Sequence, residues 1–452
     1  MDGRKGERVT STNATTDTEP TLVRSIGPFQ LTLYALGSML GSGIYGLIGQ
    51  ATGQVGSAVW LSFLVALVAA LLTALSYASL ASRHPRAGGA AYVIQRAFHW
   101  PLLSFTVGLA LVCSGLTSVA TQSRVFAVNI AALLGLDIVP TEWIALGFIL
   151  IMTGLVFRGI RESMWVNVLC TLIEAAGLLL VIGFGMSSWG SVSYFEIPPE
   201  KIDTGLALLV LQGTALTFFA FIGFEDAINV AEECKTPERT IPIGLISAAL
   251  LAAVLYVAVA ITAVSVVPWR ELSSAPSPLT EVMKRAAPEF PSVIMTFITL
   301  FAVANTALVN YITASRLIYG MSKQRLLPDV LGRVHEGRRT PHIAIVALLA
   351  VLIPLALFGS IKELASATVL LLLFVFTIVN AALLALQRRK GDAPGRFEVP
   401  PFVPLLGGIV CAGLILVRLT SNDWIAPALA AAMLAGIVAL YAVLRPQVVE
   451  EA

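Results

Sequence analysis

Pro28-Phe-Gln-Leu-Thr-Leu-Tyr-Ala-Leu-Gly-Ser-Met-Leu-Gly41-Ser42-Gly43-Ile-Tyr-Gly-Leu-Ile-Gly-Gln50 is apolar enough to cross a bilayer, yet two glycines flank a serine at its centre. A helix in hydrocarbon must pair every backbone N–H and C=O internally, because each orphan costs several kcal/mol there. Glycine works against that requirement by weakening the helix and letting the chain open. Backbone opens at membrane depth only where protein or a cavity surrounds it. The triplet Gly41-Ser42-Gly43 therefore predicts an interrupted helix at a ligand site. A second weak point, Gly223 in Phe218-Phe-Ala-Phe-Ile-Gly-Phe224, follows about 180 residues later. Two interrupted helices in corresponding halves point to a transporter's binding site.

Composition agrees with that reading. Hydrophobic residues make up 57% of the chain and charged ones 12%, with a mean hydropathy of +0.85. A soluble domain carries about 25% charge, so this is an all-α integral membrane protein. Apolar runs fall at 28–50, 57–82, 92–134, 141–158, 163–187, 204–232, 241–267, 291–320, 341–359, 363–387, 401–419 and 424–444. They predict about twelve transmembrane helices. The third run is too long for one crossing. Its start, Tyr92 to Trp100 with Arg96 and His99, reads as an interfacial lead-in.

Lys and Arg set the orientation. With the N-terminus in the cytoplasm, twenty-two of them fall on the inner side and six outside, leaving Arg124 within a span. Both termini are then cytoplasmic, as an even number of spans requires. The same bias accounts for the basic loops, so no nucleic-acid partner is expected. The polar, Thr-rich start of the chain reads as a disordered tail, and its Asn13-Ala14-Thr15 sequon as chance. Cys113, Cys170 and Cys411 lie in apolar spans and Cys234 at a span end, which suggests neither a disulfide nor a metal site.

An opened helix presents two kinds of backbone group. Freed N–H groups after the break attract an anion, whereas freed carbonyls before it suit an ammonium group or a cation. The N–H groups of Ser42, Gly43 and Ile44 are the candidates for holding a carboxylate, with Met39 as a further substrate-binding candidate. The carbonyls of Phe219, Ala220 and Ile222 are the candidates for an amine, with Phe221 on the break itself. A molecule carrying both groups a few Å apart is an α-amino acid. The competing reading is that the small residues only allow close helix packing.

Several stretches resemble one family, the amino acid–polyamine–organocation permeases. Gly37-Ser-Met-Leu-Gly41-Ser42-Gly43-Ile44 is similar to that family's substrate-carboxylate segment. Phe218-Phe-Ala-Phe-Ile-Gly-Phe-Glu-Asp-Ala-Ile-Asn-Val-Ala-Glu232-Glu233, followed by Pro237-Glu-Arg-Thr-Ile-Pro242, resembles its second signature, closest to the cationic-amino-acid-transporter branch. Pro85-Arg-Ala-Gly-Gly-Ala-Ala-Tyr92 and Arg316-Leu-Ile-Tyr-Gly-Met-Ser-Lys-Gln-Arg-Leu-Leu-Pro328 match its loops after helices 2 and 8. The resemblance runs from about residue 25 to 420. It implies a five-plus-five inverted repeat of the LeuT-like kind, opened at mid-membrane in helices 1 and 6, with two helices added. The implied organisation is a tail at 1–24, repeats at 25–200 and 201–390, the last two helices at 391–445, and a tail at 446–452.

Ionisable residues within spans are costly unless paired or hydrated, at about 2.5–3.5 kcal/mol or more each at mid-bilayer. Glu174 lies near the middle of the fifth run. In some relatives that position holds a lysine suited to fill a sodium site and carry a proton; here it is a carboxylate, so that mechanism does not transfer. Glu174 can itself bind and release a proton, or hold a cation with Asn305 and Thr306; the alternative is a structural hydrogen-bonded acid. Glu225 and Asp226 follow the second break, as gate, substrate contact or helix cap. Glu232 and Glu233 read as braces against the basic loops, and Arg124 as snorkelling or paired. Phe221 and Phe224 flank the break as candidate gates, against the plainer reading of packing.

The expected function is a secondary permease that imports α-amino acids by alternating access, coupled to protons rather than sodium because Glu174 offers a titratable group. No cofactor is expected; the partners are the amino acid and the lipid of a cell membrane. No phosphate-binding loop motif occurs, so ATP does not drive transport from within this chain. An exchanger of amino acids or amines is the near alternative. A channel lacks its repeated filter motif. A hydrolase lacks its pattern, since His84, His99, His335 and His342 all fall in loops or at span ends. A non-transporting sensor would keep the same site but has no soluble signalling domain here.

Overall fold

The computed structural model describes residues 26–83, 89–136, 138–158, 164–227, 234–335, 338, 340–389, 394–420 and 424–446. The tails, the Asn13 sequon, Glu232 and Glu233 lie outside them. The first apolar run is three short helices, α1 (Pro28–Met39), α2 (Ser42–Tyr45) and α3 (Ile48–Val55). Then come α4 (Val59–Arg83), α5 (Gly89–Phe98), α6 (Pro101–Leu134), α7 (Thr141–Arg158) and α8 (Met164–Gly185). After α9 (Leu206–Thr217) the order is α10 (Pro237–Val266), α11 (Trp269–Ser274), α12 (Pro278–Ala286), α13 (Ser292–Lys323) and α14 (His342–Phe358). The chain closes with α15 (Ile361–Arg388), α16 (Phe402–Leu419) and α17 (Ile425–Leu444).

Ten stretches of the described residues are long and apolar enough to cross a membrane. The interrupted run at 28–50 and α14, with 17 residues, are the other two of the expected twelve. The chain is a multi-span helical membrane protein. The long third run divides as expected: α5 is a separate helix that buries Ala90, Ala91, Val93 and Ile94, and α6 starts at Pro101. Helix ends carry their usual signals. Ser360 and Glu363 form a reciprocal capping box on α15, and Gly135, with φ +63, closes α6 in the left-handed region.

Helices in lipid gain little from apolar burial against one another, so small residues that let backbones approach drive their packing. α4 meets α10 through such a surface. Ala66, Ala70 and Ala74 stand one turn apart on α4, and Ala248, Ala252 and Ala253 face inward on α10, all at most 4% exposed. α6 packs chiefly on α13 and α15. Large apolar side chains such as Leu150, Val254, Phe297 and Val443 stay exposed on the outer surface, where lipid covers them in a membrane. Ile26, just before α1, forms a bridge with Cys234, just before α10, and the Lys235 N–H donates to the Ile26 carbonyl at 3.0 Å.

Candidate substrate site

The first run opens at Leu40–Gly41, where Leu40 turns extended (ψ 133°) between α1 and α2. The second opens after α9, which tightens into a 3-10 turn at Phe218–Phe221, before Ile222 turns extended (ψ 141°). Gly223 follows with φ +119°, a conformation that side chains rarely allow. The two breaks are packed against each other. A methyl group on Gly43 would lie 2.3 Å from the Ala220 Cα, and one on Gly223 would lie 2.5 Å from the Ser38 carbonyl oxygen.

Side chains from other helices hold the opened backbone. The Tyr256 hydroxyl, from α10, lies 2.9 Å from both the Met39 and the Ala220 carbonyl oxygens, so one O–H links the two breaks. The Thr306 hydroxyl on α13 donates to the Leu40 carbonyl at 2.8 Å. Ser42, Gly43 and Ile44 open α2, so their N–H groups have no carbonyl one turn back within that helix. On the second break, the Phe219 carbonyl accepts from the Ile222 N–H at 3.3 Å. Glu225 folds back to accept the Gly223 N–H at 2.9 Å.

Between the breaks lies a chamber of about 10 Å³, bordered by Ser38, Met39, Gly41, Gly43, Phe219 and Ile222, with Ser118, Gln122, Thr306 and Asn310 completing it. That is room for one water at most. Ser38 Oγ and Gln122 Oε1 are buried there without a hydrogen-bond partner among the described residues. Burying such groups unpaired costs free energy, which a ligand donor would offset. Ile222, Ser118 and Asn310 also border a second cavity of about 40 Å³, which reaches Ala90 and Leu317 at the basic end of the bundle. Glu225 and Asp226 line that second cavity. At the opposite end a wider vestibule of about 480 Å³ is lined by Gln54, Lys201, Gln212, Lys362 and Arg418 among others. Lys201 donates there to the Gly53 and Gln54 carbonyls at 3.3 and 3.2 Å, and burial pulls its ammonium below the ordinary range.

Glu174 is fully buried on α8, behind the first break rather than in the chamber. The Asn305 amide donates to its Oε1 at 3.1 Å, and Oε2 has no partner among the described residues. The Tyr45 hydroxyl, at the end of α2, donates to the Glu174 backbone carbonyl. The two α13 neighbours therefore divide, Asn305 to the carboxyl and Thr306 to the break. Phe221 is buried edge-on to Tyr256 (5.3 Å), and Phe224 against Tyr77 and Phe376, so neither borders the chamber. Arg124 pairs with Glu142 at 2.8 Å. Sequence reasoning passed over Ser38, Ser118, Gln122, Tyr256 and Asn310. The one signal it had was polar groups inside apolar spans, which need partners at that depth.

Two facing helix breaks around a buried polar chamber are the arrangement in which transporters hold their substrates. Comparison with known proteins adds the family: the amino acid permease model matches residues 26–442, and the chain belongs to that family. It lies in the amino acid–polyamine–organocation superfamily, near the cationic amino acid transporter branch. The branched-chain amino acid permease BcaP of Bacillus subtilis (strain 168) is 29% identical, over 89% of this chain and 90% of that protein. The methylthioribose transporter of the same organism is 28% identical, over 86% of this chain and 87% of that protein. Cationic amino acid transporter 4 of Mus musculus is 28% identical, over 83% of this chain and 62% of that protein.

Proposed function

We propose that this chain imports α-amino acids by alternating access, with a proton carried on Glu174 as the coupling ion. The observation that carries the reading is the crossing of the two breaks at Gly43 and Ala220 beside a chamber with unpartnered polar groups. The N–H groups of Ser42, Gly43 and Ile44 suit the carboxylate, and the Met39 and Ala220 carbonyls, shared by one hydroxyl, suit the ammonium. The Glu174 backbone carbonyl accepts from Tyr45 of α2, and its carboxyl accepts from Asn305 of α13, so a proton taken up there changes the contact to α13 beside Thr306, which holds the first break. The basic end of the bundle faces the cytoplasm of a cell membrane, in keeping with the excess of Lys and Arg on that side.

The test is uptake of radiolabelled amino acids into vesicles holding the purified protein, with and without an inward proton gradient. The expected result is uptake stimulated by the gradient, with the stimulation lost in Glu174→Gln. Uptake that needs amino acid preloaded inside and ignores pH would make the protein an exchanger and Glu174 structural.

A further inference from the structure

The chamber is polar, and among the described residues no ionisable side chain borders it; its polar groups are hydroxyls and the amides of Gln122 and Asn310. Ser118 and Gln122 stand one turn apart on α6 and so share a face. The Asn310 amide donates to Ser118 Oγ at 3.0 Å, tying α13 to α6 across the chamber floor. That pair and Ile222 border both the chamber and the inner cavity, so they form the throat between them. The acids Glu225 and Asp226 line only the inner cavity, beyond the throat, and one Glu225 oxygen is engaged by the Gly223 N–H. A substrate ammonium or guanidinium side chain in the chamber would be desolvated with no carboxylate to receive it. A neutral side chain meets Met39, Phe219 and Ile222 on one side and the unpartnered Gln122 Oε1 on the other.

We propose, resting on the permease reading above, that the transported amino acids are those with uncharged side chains, selected by Gln122 and the Ser118–Asn310 pair. The experiment measures initial uptake of radiolabelled alanine, threonine, lysine, arginine and glutamate, each at the same concentration, into vesicles holding wild-type protein, Gln122→Glu or Asn310→Asp. In wild type, alanine or threonine should enter at least tenfold faster than lysine, arginine or glutamate. A carboxylate placed in the chamber supplies the missing counter-charge, so Gln122→Glu should raise the lysine-to-alanine ratio at least tenfold. Asn310→Asp has the same size as the wild-type side chain and brings the charge from α13, so it repeats the test if Gln122→Glu fails to fold. Wild-type uptake of lysine, arginine or glutamate on a par with alanine would overturn the proposal and leave the permease reading standing. An unchanged lysine-to-alanine ratio in a folded variant would do the same. No uptake of any amino acid would remove both.

Discussion

The two breaks do the same work by different means. In the second, Gly223 needs glycine for its own backbone, since φ +119° strains any side chain whatever surrounds it. In the first, Leu40 carries the turn at φ −66°, which any residue can adopt. The first break's glycines answer to their neighbours instead. Gly43 faces the Ala220 backbone, and Gly41 faces the Thr306 side chain with its Oγ1 2.6 Å from an added methyl. One break is written into the local chain; the glycines of the other are demanded by the neighbours packed against them.

The largest effects should follow from filling those contacts. Gly43→Ala and Gly223→Ala should each abolish uptake, because a methyl would meet backbone atoms at 2.3 and 2.5 Å that no rotamer can move. Ala220→Gly added to Gly43→Ala should not restore uptake, since the Ala220 Cα itself is the obstacle. Gly41→Ala should cost less, roughly tenfold in uptake, and Thr306→Ala should recover part of it by removing the hydroxyl in the way. Equal losses at Gly41 and Gly43, or a full rescue by Ala220→Gly, would break the distinction. Uptake and thermal unfolding of each variant in detergent measure it.

Tyr256→Phe tests what the breaks share. Its hydroxyl is the contact common to the Met39 and Ala220 carbonyls. Losing it should cost about 1–2 kcal/mol of stability and lower uptake by about tenfold. A loss confined to stability, with uptake per folded molecule unchanged, would mean the two breaks move independently.

The contrast also explains how much of the site could be read from the sequence. Gly223 was legible because its need is local, and Gly41-Ser42-Gly43 was noticed because glycines stand out in an apolar run. The turn itself falls at Leu40–Gly41, at the start of that triplet, because the fit against Thr306 and Ala220 is tertiary and leaves no trace in one chain. Asn305 as partner to Glu174 was legible, since a buried acid must find a donor nearby. Thr306, one residue on, was grouped with it, but adjacent helix positions face different ways, and its hydroxyl goes to Leu40. Tyr256 and Gln122 were illegible for a related reason. A single polar atom on an apolar helix looks the same in sequence whether it caps a neighbour or borders a chamber.

The smallest effect should come from the strap at 394–401, which holds the basic end of α4. Arg83 grips Glu398 with two bonds of 2.9 Å, and Gln387 donates to the same carboxylate at 2.6 Å. Burial alone would raise the Glu398 pKa, but Arg83, Gln387 and the Gly395 N–H outweigh it and hold the carboxyl below its ordinary range. A depressed folded value means the stabilisation is present above the unfolded value of about 4.3 and is lost as pH falls through the folded one. Glu398→Gln should therefore unfold at a lower temperature than wild type at pH 7, and the two should converge at an acid pH below the depressed Glu398 value. A difference that persists at that pH would assign the effect to packing of the strap instead of its charge. At pH 7 uptake by Glu398→Gln should stay within about twofold of wild type, because neither Gly43 nor Gly223 is a partner in this contact. A larger loss would mean that the second break, which meets α4 through Tyr77 and Phe224, depends on how the end of that helix is held.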